Sequence, residues 1–378
     1  MLSVCLGSGS MRVVQVLYSG LGGHANVALS LAQGDHARKH QHALVFYGIE
    51  PLEPSYADAC DRLGVRRAFV HKRRGLDVAS WIEIAKTLEH LAPDVVILHS
   101  VNLVAPVTLW SRLRGVPIVA VDHTPNEVKR PKDWAFSVGV LLASDEVVYL
   151  TQTYRDEVVA RYPRLTRRRG VRVIGNGIDL GPFAGSGSRR AVDGVFRVGM
   201  HSRFAPTKDH ATLIEAFCLL RRMQPELACE LVLAGSGETL AAVRDCARRG
   251  GLADRDCSFP GALPEKDLPA FFATLDVWCL STRGETMSTA LMQAMAAQLP
   301  VIVSDVPGVR EMIDPGVNGL LVTAGRPADW AGALLGLAND SGTRQLLASR
   351  AAERATRWSN VEMFRRYDAV IAEVAATP

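Results

Sequence analysis

Two stretches of the sequence concentrate residue types that could stabilise a departing anion. The first is His201-Ser202-Arg203-Phe204-Ala205-Pro206-Thr207-Lys208-Asp209, where two cations five residues apart flank a short loop. An Arg offers a bidentate fork and a Lys a point charge, a pair suited to a diphosphate. Two surface cations with no chemistry could share that spacing. The second runs Ser281-Thr282-Arg283-Gly284-Glu285-Thr286-Met287-Ser288-Thr289 into Ala290-Leu291-Met292-Gln293-Ala294-Met295-Ala296. Its Thr and Ser suit the start of a helix, and the free N–H groups and dipole there favour a phosphate or a developing anion. Glu285 precedes that helix and Gln293 lies about two turns further in. Met292 and Met295 read as core.

Weaker candidates stand elsewhere. Ser19-Gly20-Leu21-Gly22-Gly23-His24 follows an apolar run, and its glycines allow backbone N–H groups close to an anion. It is not G-x-G-x-x-G, so it lacks the nicotinamide fingerprint. Leu233-Ala234-Gly235-Ser236-Gly237 is a similar turn that structure alone could explain. His123, in Val121-Asp122-His123-Thr124-Pro125, ends a strand pattern and is either a cleft residue or a hydrogen-bonded structural histidine. His99 ends another, and the structural reading is preferred there. The seven cysteines (5, 60, 218, 229, 246, 257 and 279) are scattered and contain no C-x-x-C. That excludes a disulfide scaffold and a Cys-based zinc site, and fits a reducing cytoplasm.

The elements that must position these residues alternate. Strand patterns at 12–17, 42–47, 67–70, 94–98, 117–121, 146–151 and 171–174 enclose helical stretches such as 23–33, 77–91 and 153–162. Near-continuous apolar strands with helical crossovers predict a parallel sheet covered on both faces. Residues 181–194 are rich in Gly, Ser and Arg and read as a linker. The alternation then restarts with strands at 196–200, 230–234, 276–280 and 300–304 and helices at 209–223, 238–249 and 287–297. Leu213, Phe217 and Leu220 make an apolar stripe on one of these helices. The fold class is therefore α/β, two tandem doubly wound Rossmann-like domains, with an interdomain cleft as the expected site. The expected divisions are a flexible leader at 1–10, a first Rossmann-like domain at 11–183, a second at 184–358, and a C-terminal helix at 359–378 packing back on the first domain. In that tail Val361, Phe364, Tyr367 and Val370 fall in register.

Composition excludes other classes. Of 378 residues, 48% are hydrophobic and 22% charged, which rules out disorder and coiled coil. No apolar run reaches the ~18 residues of a membrane span. Net charge is only +4, but residues 1–183 hold 22 Lys and Arg against 17 Asp and Glu, and the remainder 21 against 22. Basic clusters at His71-Lys72-Arg73-Arg74 and Arg167-Arg168-Arg169 could be solvated surface, or could attract an anionic membrane or acceptor. No aromatic interleaving accompanies them, so nucleic acid is not an expected partner.

Taken in order, Gly22-Gly23, Pro93-Asp94-Val95-Val96, Asp122-His123, Asn176-Gly177-Ile178-Asp179, Arg203…Lys208, Glu285-x7-Gln293-Ala-Met-Ala, Pro300-Val301-Ile302 and Gly316-Val317-Asn318-Gly319-Leu320 resemble the family-4 retaining glycosyltransferases of the GT-B fold. The likeness covers nearly the whole chain from Met11. It implies an enzyme that moves a sugar from a nucleotide-sugar, UDP-sugar favoured and GDP-mannose possible, to a hydroxyl with retention. The first Glu of the family's E-x7-E pattern contacts the donor sugar and the second the nucleotide ribose. Glu285 carries over directly. Gln293 departs from the pattern, but an amide can accept from a ribose hydroxyl and can also donate. In this reading Arg203, Lys208 and the amides of Met287, Ser288 and Thr289 stabilise the leaving diphosphate. Glu285 orients the sugar, His123 hydrogen-bonds it from the other domain, and Gly22 and Gly23 let the backbone approach. Base selectivity falls near Ala262-Leu263-Pro264. No Asp-x-Asp motif sits at a strand end in the expected cleft, so no metal and no cofactor are expected. The expected acceptor is a glycan or lipid-linked intermediate of cell-surface polysaccharide or lipopolysaccharide synthesis, at the cytoplasmic membrane face. A nucleotide-sugar epimerase of the same fold and a non-catalytic binding module are the alternatives.

Overall fold

A computed structural model describes residues 9–20, 23–75, 77–167, 170–189 and 194–376. The chain divides into two compact units. One comprises Met1–Thr124, Lys129–Gly177 and Asn360–Pro378; the other comprises Pro125–Val128 and Ile178–Ser359. Of the expected features, most of the leader (residues 1–8), Gly22, the arginines Arg168 and Arg169, and linker residues 190–193 lie outside the described residues.

The first unit is built on β1 (Arg12–Tyr18), β2 (Gln41–Gly48), β3 (Arg66–His71), β4 (Val95–Leu98), β5 (Ile118–Asp122), β6 (Glu146–Tyr149) and β7 (Gly170–Val173). They pair in the order β3-β2-β1-β4-β5-β6-β7, all parallel. Every residue of β4 and β5 is buried, because helices cover both faces of the sheet. On one face Val14, Val16, Val96 and Leu98 pack against Ile84, Leu88 and Val107. On the other, Leu17, Leu44 and Phe46 meet Ala25 and Ala28 of the helix Gly23–Gly34. The C-terminal helix Asn360–Ala376 belongs to this unit. Lys39 Nζ donates to both carboxylate oxygens of its Asp368 at 2.8 Å. Its buried stripe is Met363, Tyr367, Val370, Ile371 and Val374. Val361, which the sequence pattern puts in that stripe, is exposed, one helical step off the contact face.

The second unit carries β8 (Phe196–His201), β9 (Cys229–Ala234), β10 (Cys257–Gly261), β11 (Val277–Leu280), β12 (Val301–Ser304) and β13 (Leu320–Val322), in the order β10-β9-β8-β11-β12-β13, again parallel. The sequence pattern misses β10 and β13. Both are edge strands, β10 interrupted by Pro260 and a register shift, and β13 three residues long. An edge needs pairing on one side only and tolerates such breaks. Part of the expected linker is ordered: Gly185 and Gly187 donate their N–H groups to the carbonyls of Ala296 and Ala297, and Phe183 is buried against Phe272. In each sheet the strand order reverses once, between β1 and β4 and between β8 and β11. Open α/β sheets bind ligands at the carboxyl end of such a point.

Candidate active site

In the second unit, β8 and β11 deliver the two candidate loops to the reversal point. The loops are laced together. Asp209 N–H donates to the Ser281 carbonyl at 3.0 Å, and Arg283 N–H and Thr282 Oγ1 both donate to the Thr207 carbonyl at 2.9 Å. This brings Lys208 to Glu285. Its Nζ is ion-paired to the Glu285 carboxylate, and both side chains are mostly buried. Arg203, in contrast, is exposed and has no ion-pair partner among the described residues. The Gly235 turn supports this loop. Gly235 and Gly237 hold φ of +142° and +146°, and a Cβ on either would run into the backbone of Ser202 or Phe204. His210 braces the loop from below. Its ring stacks on Phe204 at 4.2 Å, Nδ1 donates to the Lys208 carbonyl, and Nε2 accepts from Ser202 Oγ. Burial lowers its pKa to about 4.

Ser288 caps the helix Thr289–Ala296, its Oγ accepting the N–H of Leu291 at 3.3 Å. The hydroxyl is thus committed to the helix. What the start of this helix offers an anion is its backbone N–H groups. Met287 is buried, Thr289 half-buried and Leu263 half-buried on the loop after β10. Gly308 presses on the carbonyls of Glu285 and Thr286, where no Cβ would fit.

Gln293 is oriented by residues to which the sequence reading assigned no role. The Trp278 indole, which can only donate, bonds His201 Nδ1 at 3.0 Å. His201 Nε2 therefore carries the hydrogen and donates to Gln293 Oε1 at 3.0 Å. Burial keeps this ring neutral by lowering its pKa to about 4. The Gln293 amide nitrogen then faces the Glu265 carboxylate, 3.4 Å away. So Gln293 spends its oxygen on His201 and turns its NH2 towards Glu265; of the two capacities the sequence reading left open, accepting and donating, the donating group is the one not taken up by His201. A buried Trp before Cys-Leu and a His closing β8 were the only signals.

In the first unit, β5 ends in Asp122-His123. Asp122 is structural. Its Oδ2 accepts from the buried Lys129 at 2.6 Å and from Ser137 at 2.8 Å, and its Oδ1 accepts from the Thr124 N–H. His123 is buried at the β1/β4 reversal, 2.9 Å from His99, with its ring 4.3 Å from that of His24. Gly23 opens the helix beneath; a Cβ there meets nothing, so close packing does not require glycine at this position. Among the described residues no group of three or more His, Cys, Asp or Glu side chains could hold a metal ion.

Two family models match, Glycosyltransferase Family 4 over residues 21–181 and Glycosyl transferases group 1 over residues 195–340. The chain belongs to glycosyltransferase family 4. Curated relatives of this family-4 chain include the D-inositol 3-phosphate glycosyltransferase of Salinispora tropica, 29% identical over 65% of this chain and 56% of that protein. That of Kribbella flavida is 30% identical over 64% and 62%. The chain thus spans less than two thirds of the length of these relatives. Among solved structures, HepE of Anabaena in complex with UDP-glucose aligns at a TM-score of 0.83, with 18% identity, over 96% of this chain and all of that one. A likeness at that identity shows the fold, which is GT-B.

Proposed function

We propose that this family-4 chain transfers a sugar from a nucleotide-sugar, a UDP-sugar before GDP-mannose, to an acceptor hydroxyl with retention of configuration and without a metal or cofactor. The observation that carries the reading is the Lys208–Glu285 pair, formed where β8 and β11 diverge, with the Arg203 guanidinium, which has no ion-pair partner among the described residues, on the same loop as Lys208. A diphosphate binding there meets two cations and a helix start, and charge accumulating on it during departure is stabilised by groups already in place. The bond from the anomeric carbon to the phosphate oxygen breaks, a bond to the acceptor oxygen forms on the same face, and the acceptor proton passes to the leaving phosphate. Glu285 orients the sugar, His123 hydrogen-bonds it, and the Gln293 amide with Glu265 faces the nucleoside. The UDP-glucose bound by HepE supports the choice of donor.

The acceptor reading is a glycan or lipid-linked intermediate in cell-surface polysaccharide or lipopolysaccharide synthesis, met by the basic first unit at the cytoplasmic membrane face. The relatives' names favour a second acceptor, a small phosphorylated cyclitol. Thermal-shift screening with UDP, GDP and their sugars identifies the donor, since a ligand of the folded state raises the melting point. Product analysis with inositol phosphates and with lipid-linked glycans then separates the acceptors. Stabilisation by no nucleotide would sink the reading. Free nucleotide and an isomerised sugar without any acceptor would replace it with an epimerase, and binding without turnover of any kind with a binding module.

A further inference from the structure

Gln293 is buried on the helix Thr289–Ala296, yet its amide meets two titratable side chains. Its oxygen accepts from His201 at 3.0 Å, and its nitrogen donates at 3.4 Å to Glu265, on the short turn Glu265–Asp267 after β10. In the proposed function this amide and Glu265 face the nucleoside. That placement does not explain why position 293 is neutral and position 265 charged.

Both follow from the far end of the chain of bonds. The Trp278 indole N–H fills His201 Nδ1, and the ring is packed against Phe271 and Phe272. Burial holds the ring neutral, so its single hydrogen is on Nε2. Position 293 must therefore accept. An amide oxygen or a carboxylate oxygen would serve His201 equally well. The two differ in what they turn towards Glu265. The amide offers an N–H; a carboxylate would offer a second negative oxygen. Two carboxylates at that spacing oppose each other's ionisation, and one of them is driven to hold a proton. The second hydrogen on Gln293 Nε2 has no bond to any of the described residues.

We propose that Gln293 and Glu265 form one recognition unit for the nucleoside, with its single negative charge on Glu265, and that Trp278 and His201 are positioning residues that enforce this arrangement. The unit suits a ligand edge on which an acceptor stands next to a donor. The orientation of the amide stands on the protein's own geometry; its contact with a nucleoside rests on the glycosyl-transfer reading.

A charge swap tests the unit, with binding read by calorimetric titration of the full chain with UDP and with GDP. Gln293→Glu sets a carboxylate against Glu265, and Glu265→Gln removes the charge. Each should weaken the nucleotide that binds the wild type by ~10-fold or more, the scale of a hydrogen bond to a charged group. The double variant Gln293→Glu/Glu265→Gln again pairs one carboxylate with one amide and should bind within about threefold of the wild type, a strong departure from additivity. A double variant as weak as the two single losses combined would overturn the proposal, and so would wild-type affinity in Gln293→Glu. Nitrogen-15 NMR of histidine-labelled chain reads the positioning separately, with no nucleotide present. Between about pH 6 and 8, where an ordinary histidine titrates, His201 should show a protonated Nε2 and an unprotonated Nδ1. In Gln293→Glu its pKa should rise, because a carboxylate now accepts from the ring. In Trp278→Phe, which lacks the indole N–H, the ring should average between tautomers. A wild-type His201 protonated on Nδ1, or an unchanged tautomer in a folded Trp278→Phe, would end the positioning role. Should Trp278→Phe not fold, the wild-type spectrum still decides. Failure of the wild type to bind either nucleotide would end the glycosyl-transfer reading and the nucleoside contact with it, while the His201 spectrum would still decide how the amide is turned.

Discussion

At the scale of residues, the Lys208–Glu285 pair changes how each charge should be tested. The two side chains neutralise each other in a mostly buried place, so removing one strands the other. On the proposed reading, Lys208→Ala takes a cation from the leaving phosphate, and Glu285→Ala takes the carboxylate proposed to orient the sugar. Each should lower kcat by ~10²-fold. The double variant should lose little beyond the worse single, because groups acting as a unit are strongly non-additive. Steady-state kinetics of the four forms checks this; a double loss equal to the product of the singles would mean that they act independently. Arg203, exposed and with no ion-pair partner among the described residues, should show an independent loss of similar size. Gln293 is the residue at which sequence reading was least informative. Its type says that it can accept and donate, and only the Trp278–His201 chain decides which group faces out.

At the scale of elements, two glycine turns that look alike in the sequence behave differently. Gly235 and Gly237 occupy a backbone region closed to other residues and touch the loop that carries Arg203. Gly23 begins a helix in open space. Gly235→Ala should therefore cost about 1–3 kcal/mol of strain and weaken nucleotide binding by displacing Ser202 to Phe204. Gly23→Ala should change stability by less than about 0.5 kcal/mol. Chemical denaturation and nucleotide titration of both variants measure the contrast, and equal effects would refute it. The strands were legible because buried parallel strands are continuous apolar runs. The edges β10 and β13 were not, because half-paired strands need no such run.

At the scale of the whole molecule, charge and exposed surface bear on partners. The first 183 residues carry the excess of basic side chains. Leu109 and Leu113, one turn apart on the helix Val104–Arg114, are 66% and 75% exposed in the first unit. No described helix is long and apolar enough to cross a membrane. Sedimentation with anionic vesicles should show binding at low salt that falls as salt is raised, since each basic residue at such a surface contributes about 1 kcal/mol within a Debye length. Equal, negligible binding at both would remove the membrane from the acceptor reading. Acid should weaken both units. His201 and His210 in one and His99 in the other have folded pKa values of about 4, 4 and 3, below the ordinary ~6.5. The unfolded chain takes these protons first, so stability is full above about pH 6.5 and falls as pH drops towards 4, by up to about 1.4 kcal/mol per pH unit for each ring. The melting temperature should be level from about pH 8 to 7 and decline between about 6.5 and 5, where carboxylates are still largely ionised. A level profile down to pH 5 would contradict the burial of these rings.

Local pattern alone determined the two parallel-sheet units, the stretches that close their central strands, and the family, because apolar periodicity, turn residues and motif order are properties of short segments. It also placed Lys208 and Glu285 on the loops that follow β8 and β11. Their meeting was decided by tertiary structure, since a contact spanning 77 residues exists only once β8 and β11 lie side by side. The same holds for the orientations of the Gln15 and Gln293 amides. An amide reads identically in either direction along a sequence. Its orientation is set by partners that can only donate, such as the Trp278 indole, or only accept, such as the Ala28 carbonyl, and folding alone brings those partners within 3 Å.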